Sequence, residues 1–269
     1  MKNTLWRPGS EKKTTGGTRE MLIVIFEALF LAMMIRTFLF QPFTIPSGSM
    51  RPTLLVGDYL FVSKYAYGYS RFSLPLSLNL FSGRIWAAEP KRGDVVVFRH
   101  PGDTSLDYIK RVVGMPGDSI QIRGGLLYIN NIAVERQKIG ESVNIDMIGD
   151  VPNSGYLRGH LFNPAVDRPV SIYRETLPDS HVSYNTFDIL PMGLGDNTRV
   201  FEVPNGHYFV MGDNRDNSLD SRFTVGYVPF ENLVGKAIVL FFSIGGDSSA
   251  WQIWRWPSYI RWDRLFHFL

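Results

Sequence analysis

Apolar residues run from Met21 to Phe40, with only Glu27, Arg36 and Thr37 to interrupt them. Twenty residues at about 1.5 Å each reach roughly the 30 Å of a bilayer's hydrocarbon core, so the pattern predicts a transmembrane helix over 20–40. Glu27 and Arg36 fall on opposite faces of that helix and cannot neutralise each other. Arg36, one turn from the outer end, can snorkel to the interface, whereas Glu27 is protonated, partnered or close to the inner interface. Beyond Phe40 helical periodicity is scarce. Val95 to Phe98, Tyr108 to Val113, Ile120 to Ile122, Leu126 to Ile129, Tyr208 to Met211 and Ala237 to Phe242 form short apolar runs, and eight Gly-Asp dipeptides punctuate the chain. Such runs between turn signals read as strands, so the expected fold is mostly β and antiparallel.

The periodicity also divides the chain. Between about Ala133 and Arg199 it fades while Asn, Pro, Gly and Ser rise, which predicts a loop-rich subdomain inserted at 133–199. A basic tail over 1–19 precedes the helix, a β domain occupies 41–132 and 200–248, and a Trp- and Arg-rich segment follows over 249–269. Leu74, Leu76, Leu78 and Leu80 alternate with Pro75, Ser77 and Asn79. That apolar edge belongs either to a core strand or to a loop lying on lipid. Trp251, Trp254, Trp256 and Trp262, mixed with Arg255, Arg261 and Arg264, suit a headgroup layer, and equally a packed terminal helix broken at Pro257.

Charge orients the span. Lys2, Arg7, Lys12, Lys13 and Arg19 precede it, and Arg51 is the sole Lys or Arg among residues 41–59, which predicts a cytoplasmic amino terminus and an exported β domain. A cleaved secretory signal would also begin with a basic tip and an apolar run, but the length of this run and the intervening Pro46 favour a retained anchor over cleavage at Ser47-x-Ser49. The net charge of +3 is spread along the chain after the tail, so nucleic acid is not an expected partner. Zero cysteines exclude thiol chemistry, disulfides and Cys-ligated metals.

The chemistry starts at Pro46-Ser47-Gly48-Ser49-Met50-Arg51-Pro52, a stiff turn holding two serines just past the span. Ser-Gly-Ser is common loop composition, so Ser49 becomes a candidate nucleophile only beside a base. The G-x-S-x-G elbow is absent, and the S-x-x-K match at Ser10 to Lys13 lies in the polar tail. Lys110 is the better base. On a strand it shares a face with Tyr108 and Val112, and desolvation there would favour its neutral form; at the reference pKa a lysine is neutral about one part in 2,500 at pH 7. A snorkelling surface lysine is the alternative. The densest polar run, Gly212 to Arg222, lacks the donor spacing of a calcium loop, so no metal is expected. If extended, it aligns Ser218, Asp220 and Arg222 on one face as supports; otherwise it is a solvated turn.

Together these elements resemble the bacterial type I signal peptidases (leader peptidases), membrane-bound Ser-Lys endopeptidases that remove signal peptides from exported preproteins. The apolar anchor, Phe43 to Asp58, Gly93 to Phe98, Tyr108 to Asp118 with its Gly-x-Pro-Gly-Asp, and Gly212 to Arg222 follow the family's order. The resemblance implies a two-part antiparallel β domain of the signal peptidase and self-cleaving repressor type, with Ser49 as nucleophile, Lys110 as general base, and Ser47 with the Ser49 N–H as oxyanion donors. It further implies that Ser218 orients the lysine, that Asp220 and Arg222 support it, and that Phe43, Ile45, Met50, Leu54, Tyr108 and Ile109 line pockets for small side chains. It implies no cofactor. The expected partners are preproteins carrying signal peptides, membrane lipid and the export machinery, and the expected location is the bacterial inner membrane with the catalytic domain periplasmic. Many members have two amino-terminal spans; one is legible here. Rival readings are a hydrolase that uses His100, His181 or His207 as base, and a non-enzymatic membrane-anchored β scaffold.

Overall fold

The computed structural model describes residues 17–74, 81–142, 170–190, 192–245 and 256–269. Helix α1 spans Thr18–Phe38, and Thr37 is its one buried residue. Among the described residues little protein packs around this apolar helix before its C-terminal end, and such a surface suits an apolar medium, which a bilayer supplies. The helix stops two residues short of the expected Phe40, because Phe40 already pairs with Ser63 at the start of a sheet.

Fifteen strands follow among the described residues: β1 Phe40–Thr44, β2 Asp58–Ser63, β3 Val95–His100, β4 Asp103–Gly114, β5 Ser119–Arg123, β6 Leu126–Ile129, β7 Ile132–Ala133, β8 Glu135–Ser142, β9 Val170–Thr176, β10 Ser183–Asp188, β11 Phe201–Glu202, β12 His207–Met211, β13 Val228–Pro229, β14 Leu233–Ser243 and β15 His267–Phe268. A four-residue helix, α2, spans Trp256–Tyr259. The large sheet runs β1-β2-β14-β3-β4-β12-β13, with β15 on the far half of β14. A four-stranded sheet runs β11-β5-β6-β7 and a three-stranded one β10-β9-β8. Every pairing between these strands is antiparallel, so the mostly β, antiparallel expectation holds.

Alternation explains how the large sheet is covered on both sides. Val95 and Val97 of β3 enter one core cluster with Ile45, Met50, Leu54 and Leu60, while Val96 and Phe98 enter another with Val112, Tyr208 and Val210. A third cluster packs Ile120, Ile122, Leu127 and Ile129 of the small sheet against Phe209 and Met211 of β12. The two parts thus share β12.

Several expectations change here. The stretch 133–199 contains a regular sheet, β8 to β10, so its described portion is not loop-rich; Gly140 and Asn185 lie within its strands. Leu76, Leu78, Leu80, Trp251, Trp254 and Arg255 lie outside the described residues. Arg261 and Arg264 both reach the buried Asp58, Arg264 Nη2 donating to Asp58 Oδ2 at 2.6 Å. A buried carboxylate needs such partners, and here they fasten the C-terminal segment to the start of β2. Trp262 remains exposed.

Candidate active site

Ser49 sits in a one-turn 3-10 helix, Gly48–Met50, entered from extended Ser47. Met50 turns into the core and is fully buried, which aims Ser49 the other way, toward β4. Lys110 lies on β4 opposite Val96 of β3 and is buried. Its Nζ is 2.6 Å from Ser49 Oγ and also donates to Ile109 O at 3.0 Å. Burial pulls the Lys110 ammonium down to about 8, while the Asp220 and Asp213 carboxylates pull the other way. About a tenth of such lysines are neutral at pH 7, a usable supply of base where the reference value gives almost none. Ser47 Oγ lies 3.5 Å from Ser49 Oγ.

A cavity of about 250 Å³ opens beside this pair, lined by Pro46, Ser47, Ser49, Tyr108, Ile109 and Leu219 among others. Of the six residues read as pocket-lining, Tyr108 and Ile109 border it. Ile45, Met50 and Leu54 are at most 2% exposed and pack in a core cluster, with Phe43 leaning on it. Their apolar character, which suits a pocket, suits a core equally. His100, His181 and His207 do not line the cavity; His100 Nδ1 accepts the Gly102 and Asp103 N–H groups.

The 212–222 segment is not extended, which corrects the shared-face reading. A 3-10 turn at Arg215–Asn217 is followed by further turns. Asp220 and Arg222 nevertheless meet, through Arg222 Nε to Asp220 Oδ1 and Nη2 to Oδ2, both at 2.9 Å, in a buried pair. Asp220 also accepts the Gly212 N–H at 3.0 Å, closing the loop on itself. Ser218 Oγ is buried without a hydrogen-bond partner and makes no direct bond to Lys110, although it is near enough to Asp220 to favour that carboxylate's charged form.

Other contributors escape sequence reasoning. Arg111, next to Lys110, forks onto Asp213: Nε to Oδ1 at 2.9 Å and Nη2 to Oδ2 at 2.6 Å. Thr53 Oγ1 donates to the same carboxylate at 2.5 Å. Arg215 forms a bidentate pair with Glu175 of β9. Gly212 is required by closeness, since a Cβ there would stand 2.2 Å from Ser218 Oγ and 2.5 Å from Ser49 O. The density of charge in 212–222 is the available signal, but the partners of these residues come from distant strands.

Comparison with known proteins follows the same lines. A family model described as Signal peptidase, peptidase S26 matches residues 18–242. The signal peptidase I of Rickettsia prowazekii (strain Madrid E) is 40% identical over 252 residues, covering 88% of each chain. That of Rickettsia typhi (strain ATCC VR-144 / Wilmington) is 41% identical over 252 residues with the same coverage. The crystal structure of a signal peptidase I from Enterococcus faecalis V583 aligns with 55% of this chain and 97% of its own, at 24% identity and a TM-score of 0.29. With a family match from α1 to β14 and relatives at 40% identity across most of both chains, the chain belongs to the signal peptidase family, peptidase S26.

Proposed function

We propose that this chain is a membrane-bound serine endopeptidase that removes signal peptides from exported preproteins, with Ser49 as nucleophile and Lys110 as general base. The observation that carries the reading is the 2.6 Å approach of Lys110 Nζ to Ser49 Oγ in a buried setting that lowers the ammonium to about 8. In the neutral state the Ser49 hydroxyl donates to the amine. Lys110 takes that proton as Ser49 attacks the scissile carbonyl, then gives it to the leaving amine. The Ser47 hydroxyl and the Ser49 N–H meet the oxyanion, each such donor being worth about 3 to 4 kcal/mol. Water then hydrolyses the acyl-enzyme by the same route. Asp220 pulls on the Lys110 ammonium, and Ser218 and Arg222 support Lys110 through that carboxylate.

The substrate binds as an added strand. Among the described residues β12 pairs with β4 only from Arg111 onward, which leaves the Tyr108 to Lys110 edge free on the nucleophile's side for a peptide backbone. The cavity beside it is small and mainly apolar, which favours small side chains before the cut. The lysines and arginines ahead of α1 support a cytoplasmic amino terminus, which puts the active site on the outer face, where an emerging signal peptide presents its cleavage site. Lipid and the export machinery are the neighbours such a location brings. Cleavage of a model preprotein in detergent by wild type, Ser49→Ala and Lys110→Ala tests this. Both variants are expected to fold and to lose turnover, as is Lys110→Arg, whose guanidinium cannot deprotonate. Near-wild-type turnover in Ser49→Ala or Lys110→Ala removes the dyad.

A further inference from the structure

Asn214 has no part in the scheme above, yet it grips the nucleophile turn from both sides of Ser49. It is fully buried where the chain leaves β12 for the 3-10 turn. Its backbone N–H donates to Ser49 O at 3.1 Å, and its Nδ2 donates to Gly48 O at 3.0 Å. A carbonyl oxygen has no proton to give, so the amide orientation is settled: nitrogen faces Gly48. Gly48 O also accepts the Arg51 N–H at 3.2 Å, which fills both its lone pairs.

The Gly48 carbonyl and the Ser49 N–H are two ends of one planar peptide group. Holding the oxygen therefore sets the direction of the N–H, and a peptide whose oxygen already accepts hydrogen bonds is polarised into a stronger donor at its nitrogen. We propose that Asn214 is a positioning residue for the oxyanion hole, fixing the plane and polarity of the Gly48–Ser49 peptide so that the Ser49 N–H meets the tetrahedral oxyanion. The proposal rests on the reading of Ser49 as nucleophile. The bond from the Asn214 N–H to Ser49 O restrains the following peptide as well, so the serine keeps its place when it becomes acylated. The other end of the side chain supports the assignment. Asn214 Oδ1 is buried without a partner, a destabilising arrangement that an apolar side chain of similar shape would avoid; the donor end is what the site uses.

The test uses the full chain in detergent, a preprotein substrate, and a substrate-like peptide aldehyde that forms a reversible tetrahedral adduct with a serine. Asn214→Ala is expected to lower kcat by about 10- to 100-fold, less than loss of a whole oxyanion donor, with KM within about threefold. Aldehyde affinity should fall in proportion to kcat, while affinity for the cleaved signal-peptide product stays put. Asn214→Asp, of equal size, turns a carboxylate oxygen toward Gly48 O and should lose at least as much; it also decides the matter should Asn214→Ala fail to fold. The double variant Ser47→Ala/Asn214→Ala should lose less than the product of the single losses, because both serve one oxyanion. Unchanged kcat in Asn214→Asp, a kcat loss with undiminished aldehyde affinity, or losses that multiply would each overturn the proposal. Ser49→Ala runs alongside: if it still cleaves, the nucleophile assignment has failed, and that failure is distinguishable from one at Asn214.

Discussion

Lys110 is suited to act as a base because it cannot stay well solvated. Burial is the largest influence on Lys110 and lowers it to about 8, against the pull of Asp220 and Asp213. The kcat/KM profile should therefore climb through about pH 8, as Lys110 in the free enzyme loses its proton. A profile already at its plateau by pH 7 would point to a histidine instead. Lys64 could confuse the assignment, since burial and the nearby Arg36 and Arg99 lower it to about 8 as well. It donates to Ser73 O and not to the nucleophile, so Lys64→Met should keep the same midpoint. Stability should follow the same group. Between about pH 8 and 10.5 the unfolded chain holds a proton that folded Lys110 has lost, so stability rises with pH across that window and flattens above it.

At the scale of elements, the site is a junction of three pieces: the 48–50 turn, β4, and the 212–222 loop. The Arg111–Asp213 fork joins the last two in a buried setting. Asp213→Ala should cost about 3 to 5 kcal/mol in thermal unfolding, because Arg111 is left buried and charged without its carboxylate. The exposed Lys138–Glu141 pair is a control whose loss should leave stability almost unchanged; a loss at Asp213 no larger than at that pair would show that the fork does not hold the loop. Gly212→Ala should cost activity by pushing on Ser218 and the Ser49 carbonyl, which a kcat comparison reads. What the sequence disclosed follows the same division. The strands around Val95 to Phe98 and Tyr108 to Val113 were legible because apolar runs and turn residues are local signals. Ser49 and Lys110 stood out because one is in a stiff turn past an apolar run and the other faces apolar neighbours on a strand. Asn214 and the arginine forks were hidden, since a buried charge is identified by partners that local periodicity does not report. The packing of Ile45, Met50 and Leu54 in a core cluster was hidden for a related reason: an apolar residue beside a serine turn has the same sequence signature whether it lines a pocket or fills a core.

Over the whole molecule, the informative feature is the absence of a spacer between anchor and enzyme. Helix α1 ends at Phe38 and β1 begins at Phe40. The junction is pinned: Tyr69 Oη donates to Phe38 O at 2.6 Å, the Lys64 N–H donates to Leu39 O at 3.0 Å, and the Phe38 and Tyr69 rings meet edge to face at 5.9 Å. Ten residues separate Phe38 from Ser49, so the nucleophile cannot lie farther than roughly 35 Å from the helix end at about 3.3 Å per residue. A bond cut close to the end of a bilayer-embedded signal peptide is then met by a serine held at fixed height and orientation, which converts a search in three dimensions into an oriented encounter. Inserting a Gly-Ser linker of about a dozen residues between Phe38 and Leu39 should release that constraint while leaving β1 and its pairing with β2 in place. In vesicles, cleavage of a preprotein with an embedded signal peptide should fall by about tenfold, whereas kcat/KM for a short soluble peptide should hold. Equal rates on the embedded substrate would mean that the rigid junction has no part in presentation. An equal fall on both substrates would mean instead that the insertion had damaged β1 and the serine turn that follows it.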